Sequence, residues 1–187
     1  MRILLPFLFA VVALPAQTHA AEVVPTPAFR SIELRRGGDV TLVPGPVQRV
    51  TIVQGSSEFT HIYVKEGGRL RIETSCNQRC PRYYPLQIRI ESPTVPVVAV
   101  ENGGTIVAAR GFAPQGHVAA AVHAGGTIDL RAVEVKDVAA AVQAGGDIYV
   151  RPRATLSAAV NAGGDIHYSG NPQVSMAVSN GGNVSRD

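Results

Sequence analysis

The sequence has no tryptophan, and its other aromatics are five tyrosines and five phenylalanines, with Phe7 and Phe9 inside the first twenty positions. A groove that grips or cleaves polysaccharide needs aromatic planes beside acids and arginines, so this thin supply argues against one. Charge is equally sparse. Seventeen Lys and Arg stand against fourteen Asp and Glu, a formal +3, too small an excess for the electrostatic footprint of a nucleic-acid binder. The two cysteines, Cys76 and Cys80, have no neighbouring His or Cys to complete a four-ligand metal site. His61, His117 and His123 match the spacing of neither a metal site nor a catalytic triad. No stretch longer than seven residues has helical periodicity, and beyond residue 20 no apolar run is long enough to span a bilayer. No nucleic acid, cofactor, metal or integral membrane segment is expected of the processed chain.

What is present begins with a leader. Met1-Arg2 is a short positive start, Ile3 to Leu14 is apolar apart from Pro6, and Thr18-His19-Ala20 offers small residues at a cleavage point. Residues 1–20 are expected to be a signal peptide removed before Ala21, with a retained anchor as the alternative. No cysteine sits near that point to carry a lipid. Cleavage takes Arg2 away and leaves sixteen basic residues against fourteen acidic, a formal +2. The domain is expected to be exported, to the periplasm first, with an extracellular or surface-associated place as the alternative. In an oxidising compartment Cys76 and Cys80 are expected to close a small local disulfide, free thiols and a metal being the other readings. Arg79 and Arg82 beside Tyr83 and Tyr84 read as a solvated hairpin tip or as a contact for an anionic polymer.

From Val98 to Asp187 one phrase recurs five times: a valine, two residues, Gly-Gly, a short polar residue, then Ile or Val. The first glycines stand at 103, 125, 145, 163 and 181, giving successive spacings of 22, 20, 18 and 18 residues. Side chains alternate across a strand. Val118, Ala120 and Val122 therefore share one face, as do Val138, Ala140, Val142, then Leu156, Ala158, Val160, then Val174, Met176, Val178. After each Gly-Gly a second short strand follows, with Ile128 and Leu130, Ile148 and Val150, or Ile166 and Tyr168 on its apolar face. Short β runs at a period near twenty residues predict stacked rungs. The fold class expected is all-β, a right-handed parallel β-helix (solenoid), with glycine pairs supplying corners at φ > 0.

The half before it is less regular. Ala21 to Ala28 reads as a flexible leader, and strands are expected at Phe29–Leu34, Thr41–Val43, Val47–Val53, Thr60–Val64, Leu70–Thr74 and Leu86–Ile90. Arg36-Gly37-Gly38-Asp39-Val40 repeats the corner phrase in degenerate form, and Glu66-Gly67-Gly68-Arg69 reads as a hairpin turn. No linker divides the halves, so 29–187 is expected to be one solenoid domain. Residues 29–97 form irregular coils that cap its first end, and 98–187 form the regular Gly-Gly coils.

Phe29-Arg30-Ser31-Ile32-Glu33-Leu34, Gly38-Asp39-Val40-Thr41-Leu42, Gly68-Arg69-Leu70-Arg71-Ile72 and the Gly-Gly ladder together resemble the bacterial head GIN domain. That family carries the label "putative autotransporter adhesin". The resemblance covers 29–187 and implies an exported β-helical domain, with adhesion conjectured. An autotransporter places an outer-membrane barrel after its passenger, and the sequence stops at Asp187, so the label is not expected to mean self-translocation.

Two ladders are expected to face outward. One is Ala119, Ala121, His123; Ala139, Ala141, Gln143; Ser157, Ala159, Asn161; Ser175, Ala177, Ser179. A flat face surfaced with alanine and serine suits contact with a second copy or with a partner's sheet; folding of the N-terminal strands over it, or tight stacking alone, are the other readings. The second is Thr105, Thr127, Asp147, Asp165, Asn183, with Tyr149, Arg151 and His167 nearby. Two carboxylates about 5 Å apart suit a retaining glycosidase and stacked oxygens suit calcium, but Thr, Asp and Asn after Gly-Gly first suit turn capping. The function expected is a non-catalytic envelope interaction domain, adhesin-like, binding another protein or itself. A polysaccharide-binding or polysaccharide-cleaving protein is the alternative, with a glycan as its ligand, and a structural spacer is third.

Overall fold

Alternation of apolar and polar residues, broken by Gly, Pro and Asn, produces strands throughout. The computed structural model describes residues 21–75 and 84–187. The expected signal peptide 1–20 lies outside these residues, as does the Cys76–Cys80 pair with Arg79, Arg82 and Tyr83. The first strands are β1 (Glu22–Val24), β2 (Ser31–Arg35), β3 (Asp39–Pro44), β4 (Arg49–Gln54), β5 (Thr60–Lys65), β6 (Arg69–Thr74) and β7 (Gln87–Ser92). Then come five pairs: β8 (Val97–Glu101) with β9 (Thr105–Ala108), β10 (Gln115–Val122) with β11 (Thr127–Asp129), β12 (Val135–Val142) with β13 (Asp147–Val150), β14 (Pro152–Asn161) with β15 (Asp165–Tyr168), and β16 (Gln173–Ser179) with β17 (Asn183–Arg186).

The strands form two sheets around one core. The nine-stranded sheet runs β1-β4-β7-β3-β9-β11-β13-β15-β17 and the eight-stranded sheet runs β16-β14-β12-β10-β8-β2-β6-β5. From β8 onward each pair contributes one strand to each sheet, and like residues pair in parallel register, Val100–Val122–Val142–Val160–Val178 in one sheet and Ile106–Ile128–Ile148–Ile166–Val184 in the other. Valines 100, 122, 142 and 160 and all four isoleucines are at most 2% exposed.

The expected right-handed parallel β-helix is nevertheless corrected. Both sheets are mixed, because β1 pairs with β4, β4 with β7, and β5 with β6 in antiparallel fashion. Spatial order also departs from chain order, since β2 lies between β6 and β8. The cause is local. Gly67 and Gly68, at φ 81° and 72°, close a tight turn in which Gly68 N donates to Lys65 O at 3.1 Å, so the chain reverses instead of advancing. The segment read as a leader contributes β1, whose Glu22–Val24 pairs with Val50–Ile52 of β4.

The two glycines of a corner do different jobs. Gly145 and Gly146 both have positive φ, 75° and 99°. A Cβ on Gly145 would meet nothing within 4 Å, while one on Gly146 would lie 2.6 Å from Gly126 O and from Val122 Cγ1. That closeness follows from the ladder, in which Asp147 N donates to Gly126 O at 2.9 Å and Asp165 N to Gly146 O at 3.0 Å. Both substitutions to alanine strain φ, but only the second also clashes. Gly146→Ala is expected to lower unfolding free energy by about 1–3 kcal/mol more than Gly145→Ala. Urea unfolding of the two variants measures this, and equal losses would show that rung contact is not what the second glycine protects.

Candidate functional site

The outer face of the eight-stranded sheet is built from the residues that alternate with the buried valines. Parallel register turns each outward position into a column. One column is Arg71, Glu33, Ala99, Ala121, Ala141, Ala159, Ala177. The structure places every residue of the expected contact face in these columns. Ala121, Ala141, Ala159 and Ala177 are exposed, as are His123, Gln143, Asn161 and Ser179, while Ala119 and Ala139 are half-buried. The N-terminal strands do not fold over them. A shallow groove of 360 Å³ runs along the face between the alanine column and the His123–Ser179 column.

At β2 the same face changes character, and this the sequence reading missed. Arg71 Nη2 donates to Glu33 Oε1 and Oε2 at 2.9 and 3.1 Å. Arg35 Nη2 donates to Glu101 Oε1 at 2.6 Å, and Arg69 lies 3.6 Å from Glu33. A second groove of 570 Å³ joins this network to the alanine face, lined by Arg30, Glu33, Arg69, Glu101, Ala121 and His123 among others. The available signal was the parity of Glu33 and Arg35 in β2 against Arg69, Arg71 and Glu73 in β6, because opposite charges attract across strands. Adjacency of β2 to both β6 and β8 could not be read from chain order.

These pairs shift titration. Burial alone would lower the Arg71 pKa, yet the hydrogen bond and charge of Glu33 raise it. Burial alone would raise the Glu101 carboxyl, yet the hydrogen bond and charge of Arg35 hold it below the ordinary glutamate value.

The outer face of the nine-stranded sheet carries the second ladder. Asp147 and Asp165 are register partners, and with His167 they offer ligand atoms that all lie within 4.8 Å of one another. This trio could hold a divalent cation. His167 Nδ1 lies 3.2 Å from Ser185 Oγ and 3.3 Å from Asp187 Oδ1, and the ring stacks on Tyr149 at 4.8 Å. Arg131 lies over the other side of the Tyr149 column at 4.6 Å from the ring and donates to Asp129 at 2.6 Å. That hydrogen bond, against the opposing effect of burial, holds the Asp129 carboxyl below its ordinary value. Arg151 instead approaches Glu134 at 3.4 Å. Residues 105, 127, 147, 165 and 183 are all in the column, but among the described residues none of their side chains caps a backbone group.

Residues 102–172, within the regular strand pairs that carry both ladders, match the family model described as "Putative auto-transporter adhesin, head GIN domain". The likeness to the head GIN family is carried by this segment. No curated protein matches the chain. Solved structures similar to it include a "putative adhesin" from Bacteroides fragilis, 18% identical over 92% of this chain and 99% of that one, TM-score 0.49. Another "putative adhesin", from Parabacteroides distasonis, is 14% identical over 90% of this chain and 96% of that one, TM-score 0.42. A "putative cell adhesion protein" from Clostridium sporogenes is 10% identical over 89% and 99%, TM-score 0.35. Among the described residues no helix is long and apolar enough to cross a membrane. The head GIN description is that of an adhesin and names no catalysis.

Because the folded-state pKa values of Glu101 and Asp129 are depressed, their pairs stabilise the fold fully above the ordinary carboxylate range and are lost as pH falls through it. Unfolding free energy is expected to be flat from neutrality to about pH 5 and to fall below about pH 4. Glu101→Gln should reduce that fall; urea titrations at stepped pH test it, and an unchanged acid limb would exclude Glu101 as a contributor.

Proposed function

We propose that this chain is a non-catalytic, exported contact domain of the cell envelope that docks another protein against the small-residue half of its eight-stranded sheet. The observation that carries this is the in-register column Ala121, Ala141, Ala159 and Ala177, exposed beside the flanking Ala and Ser column. Long polar chains normally screen an exposed sheet face from other sheets. The alanine column itself carries no such screen, and a contiguous apolar strip of this kind favours association. His123, Gln143, Asn161 and Ser179 provide a polar rim along one side, as contact surfaces require. The adhesin description of the 102–172 segment supports the same direction. A glycan ligand is the weaker reading, since neither alanine-lined groove contains a Phe, Tyr or Trp side chain.

A photo-crosslinking side chain placed at Ala159 in cells is expected to form a protein adduct that Ala141→Arg diminishes while circular dichroism stays unchanged. The same probe at Val107, exposed on the opposite sheet, should form less. Equal adducts at the two positions, or adducts indifferent to Ala141→Arg, would end this reading. An adduct at twice the chain's own mass would instead identify the docked protein as a second copy. N-terminal sequencing of the exported protein is expected to begin at Ala21, and a start at Met1 would contradict the proposed cleavage.

A further inference from the structure

The edge of the eight-stranded sheet at β16 is unlike the rest of that sheet. Val174, Met176 and Val178 continue the buried columns of Leu156, Ala158 and Val160, whose exposure is 1–2%. Yet Met176 is 56% and Val178 44% exposed. Core-type side chains thus sit in core-facing positions with no strand beyond them among the described residues.

Their backbone groups are open as well. In the rungs beneath, His123 N donates to Val100 O and Gln143 N to Val122 O, so the valine of each rung addresses the strand that follows. Val178 occupies that column, while Ser179 O turns the other way and accepts from Ala162 N at 3.1 Å. Backbone direction alternates along a strand. The N–H and C=O groups of Val174, Met176 and Val178 therefore point out of the sheet edge. Edge strands are ordinarily blunted by lysine, proline or inward charge; Gln173 to Ser179 has none of these.

The strand is also symmetric about Met176. Val174 mirrors Val178, and Ser175 mirrors Ala177. An antiparallel pairing of two copies centred on Met176 places Val174 opposite the second copy's Val178 and Met176 opposite the second copy's Met176. Residues directly opposite in an antiparallel pair share a face and alternate between hydrogen-bonded and non-hydrogen-bonded pairs. This register makes hydrogen-bonded pairs of the same three residues whose N–H and C=O are free. It also places all the exposed Val and Met side chains on the core side of one continuous sheet. A two-fold axis allows this pairing because each edge is its own partner.

We propose that this chain forms a two-fold dimer by antiparallel pairing of β16 with the β16 of a second copy, centred on Met176. The surface is the strand edge, distinct from the outward alanine face, so either interaction can fail without the other.

The test uses residues 21–187, with mass measured by sedimentation across a concentration series. A dimer is expected. Met176→Pro removes an edge-facing N–H that bonds nothing among the described residues, a substitution edge strands accept, and should raise the dimer Kd roughly tenfold or more. Ala141→Arg should leave it unchanged. Met176→Cys should oxidise to a dimer cross-linked between the two residues 176, as Cα atoms of directly opposed pairs lie within disulfide reach. Ser175→Cys, opposite Ala177, should give no such 175–175 link. A chain monomeric at every concentration, a dimer indifferent to Met176→Pro with unchanged circular dichroism, or equal cross-linking at 175 and 176 would overturn the proposal.

Discussion

The close approach of backbone to backbone at each glycine corner is the constraint on which the regular half depends. The second glycine gives its carbonyl to the polar residue after the next Gly-Gly, as Gly104 does to Thr127 and Gly126 to Asp147, both at 2.9 Å. That bond sets how one rung sits on another. Once it is set, alternation sends Val122 and Val142 inward and Ala121 and Ala141 outward. Core and small-residue outer face are two consequences of a single register, because a one-residue slip would exchange them.

Much of this half was legible because face is encoded by alternation and corners by Gly-Gly. Val118, Ala140 and Leu156 are buried as expected, and the Asp147–Asp165 column forms as read. What alternation does not encode is strand direction or neighbour. The reversal at Gly67-Gly68 forms as the hairpin turn its residues suggest, but β2 takes a place between β6 and β8 that chain order does not suggest. The parallel β-helix was an extrapolation of the periodic half over the aperiodic one. The same blindness applies at β16, where parity sends Met176 and Val178 inward but cannot say whether a further strand covers them. It applies again to Glu33, whose partners Arg71 and Arg69 become visible only when β2 and β6 are neighbours.

The outer face of the eight-stranded sheet therefore has two regimes on one continuous surface. Near β2 and β6 opposite charges are locked to one another, as in the Arg71–Glu33 and Arg35–Glu101 pairs. Such paired charges cost desolvation to cover. Beyond β8 the two central columns become alanine and serine, with little to desolvate and no long side chains to immobilise, while polar chains remain in the His123–Ser179 column beside them. A partner docking there would lose less conformational entropy than on an ordinary polar surface, so the boundary at Ala99 and Ala121 divides a surface that stays wet from one that can be dried.

The repeat shortens from 22 to 18 residues, yet the distance from each core valine to its glycine pair never changes. The variation falls on the opposite side, where six residues join β9 to β10, five join β11 to β12, Arg151 alone joins β13 to β14 and four join β15 to β16, with a register shift at the start of β14. One side of the stack is thus metrically fixed and the other elastic. Foreign peptide grafted at the elastic bend, around Ala109 to Pro114, would be displayed as a loop while the rungs on either side kept their alignment.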